Sequence, residues 1–463
     1  MLRYFRINDP YRLLSLMVLL ALVSLPSLID LPSMTTHELK GAVLGEAVGN
    51  KMLYVEIVDR TPPLAAVTEG VLDFVFGRSL LGRHIIAFII ILFQASYFAI
   101  LLINNKAYNE NTYLPSLIFG MLCFFSFDLL ATTPELIASA LLLLALNNIF
   151  KEIEFRVDRD SIVLKLGVFL GLASLFVFSY TVFLIGTIFI LIAFARASFR
   201  KILLLLFGYG LTHGVLFTIY YYYDHTADLW TNFYVGTWQQ SHVALVSTKT
   251  FLMLGAIPSF YFIISLLMLT REARFTKYQS QLFQVLLLWL FIAVLHAWLT
   301  VELTPHSFLT FLPPLAYFIS HYFLLIRRRR LAEIMLWLLI AGLVSVNFLV
   351  RNRQVKGADY SGLFPKKSAY EASIVNDRIL IVGEDVGLYR QNRLAGYFLD
   401  WDLSRKYFVE PDSYENIVKI YKSIKEDPPE VIVDENNLME PILERIPGLK
   451  TLYRKEGKIY RKL

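Results

Sequence analysis

The sequence predicts an α-helical polytopic membrane protein of about eleven hydrophobic helices, with a small α/β soluble domain at its C-terminal end. Three observations predict it: an apolar content beyond what a soluble core can use, its concentration in long runs, and a change to ordinary globular composition near residue 355. Of 463 residues, 56% are hydrophobic and 18% charged, with a mean hydropathy of +0.54. Soluble domains average roughly 45–50% and about 25%. The 36 Phe and 26 Tyr suit membrane interfaces. A single cysteine, Cys123, rules out an intrachain disulfide.

A helix needs about 20 apolar residues to cross a bilayer, because lipid offers nothing to an unpaired amide. Candidate spans fall near 13–32, 84–103, 113–131, 134–150, 163–178, 180–195, 202–222, 250–270, 281–300, 307–326 and 331–349. The first lacks a small-residue cleavage site and runs on through Pro26 to Leu31, which marks a retained helix. Segments 163–178 and 180–195 are short, and a hairpin near Ser179 keeps them separate.

Lys and Arg collect on the cytoplasmic side of short loops. With the N-terminus inside, seventeen fall there: Arg3, Arg6, Arg12, Lys106, Lys151, Arg156, Arg159, Arg196, Arg200, Lys201, Arg271, Arg274, Lys277 and Arg327 to Arg330. Six fall outside: Lys40, Lys51, Arg60, Arg78, Arg83 and Lys249. This orientation puts the 33–83 loop and the C-terminal domain on the extracytoplasmic side of what reads as a cell (inner) membrane protein. A net charge of +6 could suggest nucleic acid, but the basic residues flank apolar runs, so no nucleic-acid partner is expected. The domain boundary falls at 349/350: a transmembrane domain over 1–349 and a soluble domain over 350–463.

In the first outer loop, Thr35-Thr36-His37-Glu38 before Leu39, Val43, Leu44 and Val48 reads as a capped amphipathic helix. A second, 64–76, starts after Pro62-Pro63. Both would lie along the bilayer surface. In the C-terminal domain, 378–382 and 430–434 read as strands, 413–425 and 439–446 as helices, and 451–453 with 458–460 as a closing strand pair. The segment Gly383-Glu-Asp-Val-Gly387 lacks the third glycine of a dinucleotide fingerprint.

Ionisable groups at membrane depth are costly, so each asks for a reason. Asp128 lies near the outer end of the third span, and Glu135 begins the fourth after Thr132-Thr133-Pro134, where the helix dipole favours a carboxylate. His213 and His296 sit within spans and should bond to neighbours; Glu302 and His306 share a short outer turn. Glu38 directly follows the first span.

These residues form a pattern. The first span followed by His37-Glu38, Gly41 to Gly49, Tyr54, Pro62-Pro63-Leu64 and Phe76-Gly77-Arg78-Ser79 through Arg83 resembles the GT-C superfamily of glycosyltransferases. The closest group is similar to the protein O-mannosyltransferases and lipid A aminoarabinose transferases. Thr133-Pro-Glu-Leu136, Gly167 to Leu175, and Pro305-His306 through Pro313-Pro314-Leu315 resemble later elements of the same group. Two positions depart: His37 replaces the first acid of the usual pair, and Thr61 stands where a lysine precedes the prolines, with Arg60 next to it.

The resemblance implies an enzyme that moves a sugar from a polyprenyl-phosphate carrier to an acceptor on the outer face, with membrane lipid as its setting. It implies Glu38 as base or metal ligand and Glu135 as its partner, both catalytic. It implies His37, Arg60 and His306 as substrate contacts, the last two on the phosphate. A divalent metal is an open expectation. Two other classes compete: a scaffold that kept the fold without activity, motivated by His37 and Thr61, and a transporter or flippase, which would place charges or broken helices near the midplane.

Overall fold

In the computed structural model of the chain, every residue is described except 156–159, 240–242, 273–274, 301, 353 and 356. Arg156, Arg159 and Arg274 of the cation count therefore lie outside the described residues. The chain divides into two compact units.

The first unit holds Met1–Pro32, Leu80–Val215 and His242–Ser361 and is built of helices. After a one-turn α1 (Leu2–Phe5) come α2 (Arg12–Ile29), α5 (Leu80–Asn104), α6 (Leu114–Leu122), α7 (Pro134–Phe155), α8 (Asp160–Phe176), α9 (Thr181–Ile190) and α10 (Phe199–Tyr222). Then follow α13 (Thr248–Leu254), α14 (Ala256–Glu272), α15 (Lys277–Leu299), α16 (Leu312–Leu325) and α17 (Arg329–Arg351). A two-residue parallel pairing joins β1 (Val243–Ala244) to β2 (Glu302–Leu303). Among the described residues, eight helices are long and apolar enough to cross a membrane, and nine if α13 and α14, bent by 58°, count as one. This is an integral membrane protein.

Two of the eleven expected spans fall short of that length. α8 has 17 residues and ends where Val177 turns extended, so the chain reverses through a 3-10 turn at Phe178–Tyr180, at the hairpin expected near Ser179. The 113–131 run is broken: α6 has 9 residues, all buried, and the chain then turns into a second 3-10 segment, Phe127–Leu130. A window of hydropathy sees one apolar run there; the break exists because Ser126 and Asp128 are delivered into the helical interior, where each is buried.

At one end of this unit the polar groups pair among themselves. Lys201 donates to Glu152 at 2.6 Å, Arg200 to Asp160 at 2.8 Å, and the N-terminal amine to Glu333 at 2.5 Å.

The second unit holds Ser33–Ser79, Leu216–Ser241 and Gly362–Leu463. Its sheet has the order β4-β3-β5-β7-β6, from β3 (Arg378–Val382), β4 (Arg393–Leu394), β5 (Val431–Asp434), β6 (Tyr453–Glu456) and β7 (Ile459–Lys462). β3 pairs parallel with β4 and β5, and the β6–β7 hairpin closes antiparallel on β5. Helices α18 (Trp401–Val409), α19 (Tyr414–Glu426), α20 (Met439–Arg445) and α21 (Pro447–Lys450) complete it, with short turns α11 (Thr226–Leu229) and α12 (Gly236–Trp238) from the middle segment. The core joins Leu380, Val382, Ile432, Phe408, Ile420 and Tyr460 to one residue of the first loop, Val58.

That residue explains why this unit crosses the 349/350 boundary drawn from composition. The Val58 N–H donates to the Tyr397 carbonyl at 2.6 Å, and its own carbonyl accepts from the Asp400 N–H at 3.1 Å. The first loop is thus part of the C-terminal core, not an appendage of the helices. Its helices α3 (Thr36–Val48) and α4 (Pro63–Phe76) form where expected. α3 is not amphipathic, however: Gly41 to Gly45 are buried in succession, which wraps the whole helix surface.

Glycine permits a close helix contact in each unit. In the second unit, a Cβ on Gly45 would stand 2.4 Å from the Glu69 carbonyl oxygen of α4. In the first, a Cβ on Gly167 would stand 2.2 Å from the Leu205 carbonyl oxygen, and one on Gly171 2.2 Å from Thr212 Oγ1. Small residues four apart let two membrane helices touch backbone to backbone. Gly167→Ala should therefore force α8 from α10 at a cost of about 1–3 kcal/mol. Gly210→Ala, with open space at its Cβ, should be neutral or stabilise by up to about 1 kcal/mol. Thermal unfolding of the two variants in the same detergent is the measurement; equal melting temperatures would exclude the seam as a determinant of stability.

Candidate active site

In the helical unit the site starts from the entry to α7. Thr133 Oγ1 accepts from the Leu136 N–H at 3.3 Å and caps the helix. Thr132 Oγ1 donates to the Arg83 carbonyl at 2.5 Å, tying the cap to the start of α5. Gln94 of α5 donates to the Leu136 carbonyl at 2.7 Å. The cap is therefore fixed from two sides.

Against it packs the 3-10 segment Pro305–Phe311, which opens with proline. His306 is buried there, with Nδ1 3.5 Å from Thr133 Oγ1 and Nε2 3.5 Å from Asp128 Oδ2. The Ser126 hydroxyl donates to Asp128 Oδ1. Burial, and then the charge of Asp128, push the Tyr360 phenol up. Glu135 lies two residues past Thr133 in the first turn of α7, half-buried, and its Oε2 is buried without a hydrogen-bond partner. Acid, imidazole and threonine thus meet at one end of a bundle of apolar helices, and the buried Arg83 joins the same cap through its backbone carbonyl.

In the second unit, Glu38 and His37 occupy the first turn of α3. Glu38 is buried and closes a capping box: its Oε2 accepts from the Thr35 N–H and hydroxyl, both at 2.9 Å, and Thr35 Oγ1 accepts from the Glu38 N–H at 3.3 Å. His37 is half-buried.

Arg60 is engaged. Its Nε donates to Asp400 Oδ2 at 2.5 Å, and one terminal nitrogen reaches Asp400 Oδ1 at 2.8 Å and Asp402 Oδ2 at 3.3 Å. Burial works against this cation, but the hydrogen bond and charge of Asp400 hold its pKa above the ordinary value. The fork that the sequence reading offered to a phosphate is thus occupied by the carboxylates of α18. Asp59 is pushed up by burial and then by the charge of Asp400, against two hydrogen bonds from Thr61. Lys51 pairs with Asp427, and burial lowers its pKa to about 8. Tyr54 adopts φ 69°, a costly conformation for a bulky residue. Its hydroxyl on Thr61 O (2.7 Å), Asn232 on its own carbonyl (2.8 Å) and a stack on Phe233 hold it there.

Sequence reasoning missed the Asp128–His306 pair, the burial of Arg83 and the position of Tyr180. His213 and His296 behave as expected, bonding to Ser174 at 2.9 Å and Ser179 at 3.0 Å. Among the described residues no group of three or more His, Cys, Asp or Glu could hold a metal ion.

Arg60→Met would leave Asp59 and Asp400 together without their cation. Breaking a buried pair costs about 3 kcal/mol or more, so the variant should melt earlier and be cut faster between residues 49 and 62. Adding Asp400→Asn should restore part of the loss. An unchanged melting temperature in Arg60→Met would show that the ion pair holds nothing together.

No protein-family model matches the sequence, and no curated protein is similar to it in sequence. Solved structures are similar in fold. ArnT from Cupriavidus metallidurans in the apo state aligns with a TM-score of 0.58 at 12% identity, over 96% of this chain and 97% of that one. The same protein bound to undecaprenyl phosphate aligns with a TM-score of 0.57 at 11% identity, over 97% of both chains. The apo Archaeoglobus fulgidus oligosaccharyltransferase gives 0.49 at 10% identity, over 91% of this chain and 69% of that one. A membrane unit of apolar helices joined to a small α/β sheet, aligned with ArnT nearly end to end, gives this chain the GT-C fold.

Proposed function

We propose that this protein is a membrane glycosyltransferase that takes a sugar from a polyprenyl-phosphate carrier and passes it to an acceptor on the outer face of the membrane. The observation that carries this reading is the group of buried Asp128, His306 and Thr133 with half-buried Glu135 at one end of the helical unit. Charged groups in such a setting are kept for function more often than for stability. The shared fold adds to it, since one ArnT structure holds undecaprenyl phosphate.

In this reaction the acceptor hydroxyl oxygen bonds to the anomeric carbon of the sugar. The bond from that carbon to the phosphate oxygen breaks, and its electron pair leaves on the polyprenyl phosphate. A base must take the hydroxyl proton, and donors must meet the charge growing on the phosphate. Glu38 is the proposed base, and Glu135 the second carboxylate. His306, which faces the Asp128 carboxylate at 3.5 Å, is proposed for the phosphate, with His37 as a further substrate contact. Arg60 joins them only if its bridge to Asp400 opens.

The broken α6 and the 58° bend between α13 and α14 are features a transporter would share. Measuring a glycosylated product, rather than lipid redistribution, separates the two. Glutamine at the third position of a helix caps as glutamate does, so Glu38→Gln should keep the fold and lower sugar transfer by about 10²–10⁴-fold. Transfer at the wild-type rate by a folded Glu38→Gln protein removes Glu38 as the base. If wild-type protein in nanodiscs transfers no sugar from any polyprenyl-phosphate donor, the reading itself fails.

Orientation has its own test. Lys40 is exposed and the single native cysteine is buried. Lys40→Cys should react with a membrane-impermeant maleimide in intact cells. Reaction only after permeabilisation would place this loop in the cytoplasm.

A further inference from the structure

At the same end of the helical unit, three polar atoms from three separate elements are buried with nothing to bond among the described residues. Tyr180 is 0% exposed at the turn between α8 and α9, and its hydroxyl has no hydrogen-bond partner. His296, near the end of α15, is 1% exposed; its Nε2 is 3.0 Å from Ser179 Oγ, while Nδ1 has no partner. The two rings meet edge to face at 4.9 Å. Glu135 Oε2 is the third such atom, at the start of α7, which packs against α15, the helix that carries His296, and the charge of its carboxylate acts on both Tyr180 and His296.

Buried polar atoms are almost always satisfied, and an orphan asks for a partner that comes and goes. The tautomer of His296 does not remove the problem. If Nε2 accepts from Ser179, Nδ1 is an orphan donor; if Nε2 donates, Nδ1 is an orphan acceptor. Behind the rings lie Phe183 and Trp289, both buried, and the Trp289 N–H is already spent on the Thr310 carbonyl at 3.2 Å. Ser179 and Glu135 are only partly buried.

The chemistry of the set selects its ligand. A carboxylate accepts, a phenol donates, and an imidazole does one or the other. No lysine or arginine is bonded to any of the three among the described residues. A phosphate would meet the carboxylate without a counter-cation, whereas neutral hydroxyl groups satisfy all three atoms at once. We infer that Glu135, Tyr180 and His296 form a recognition site for hydroxyl groups of the transferred sugar, distinct in chemistry from the Asp128–His306 pair. This rests on the transferase reading and gives Glu135 a substrate group to bind.

The test uses the full chain in nanodiscs and two probes: bare undecaprenyl phosphate, and undecaprenyl phosphate carrying one of a set of neutral hexoses and pentoses. Tyr180→Phe and His296→Gln should bind the bare lipid within about twofold of wild type, yet lose about tenfold in affinity for the sugar-bearing lipid that wild type prefers. Tyr180→Phe deletes only the orphan oxygen and keeps the ring contact, so the ligand-free melting temperature should hold or rise. A fall in that temperature would mean that the hydroxyl is structural, bonded to water. Equal losses for both lipids, or none for either, overturn the sugar site. If wild type binds bare lipid but discriminates among no sugars, the inference alone fails. If it binds neither lipid, the transferase reading fails first.

Discussion

Holding Asp128 opposite His306, out of water and inside a bundle of apolar helices, is the constraint on which the helical unit depends. An ionisable residue shut away from water among apolar helices is costly unless it is paired. The fold meets that cost with local devices. α6 stops after 9 residues so that the chain can bring Ser126 and Asp128 together. Pro305 starts the short turn that aims His306 back at them. Thr133 caps α7 and faces the imidazole as well. None of these is needed to span a bilayer; all of them are needed to keep an acid and an imidazole facing each other.

The two units are held by different physics. Lipid gives helices no hydrophobic reason to associate, so close packing has to supply the attraction, and the glycines of α8 and α10 permit it. The second unit has an ordinary apolar core, and its first-loop segment is fixed by backbone hydrogen bonds at Val58 and by partly buried ion pairs. Exposed ion pairs contribute little, about 0–1 kcal/mol. The Arg60–Asp400 pair differs because it is bidentate and shielded: the two side chains are 10% and 17% exposed. It is the pair in which removing one partner should be felt.

What the sequence showed and what it hid follow from range. Long apolar runs, the Thr35/Glu38 cap, the strands at 378–382 and 431–434 and the helix at 414–426 are local patterns, and each forms where its pattern lies. β4, two residues long, and α18, whose buried positions are only Ser404 and Phe408, carry too little periodicity to read. The α3 helix misled because small residues mimic a polar face: Gly41 and Gly45 are buried by contact with α4, not left to solvent. The site was legible as residue types and illegible as pairs. Arg60 and Asp400 are 340 residues apart, and Ser179 and His296 are 117 apart. Nothing local marks either.

Glu38 shows how a structural role and a chemical one can share a side chain. A capping carboxylate is ordinarily explained once its helix N-terminus is satisfied, and the hydrogen bonds from Thr35 do satisfy it. Those bonds also fix the carboxylate in one rotamer, and a general base gains most from being fixed before its substrate arrives. Capping therefore does not argue against catalysis at this position. It supplies the orientation that catalysis would need, and it leaves the formal charge as the single property that glutamine cannot reproduce.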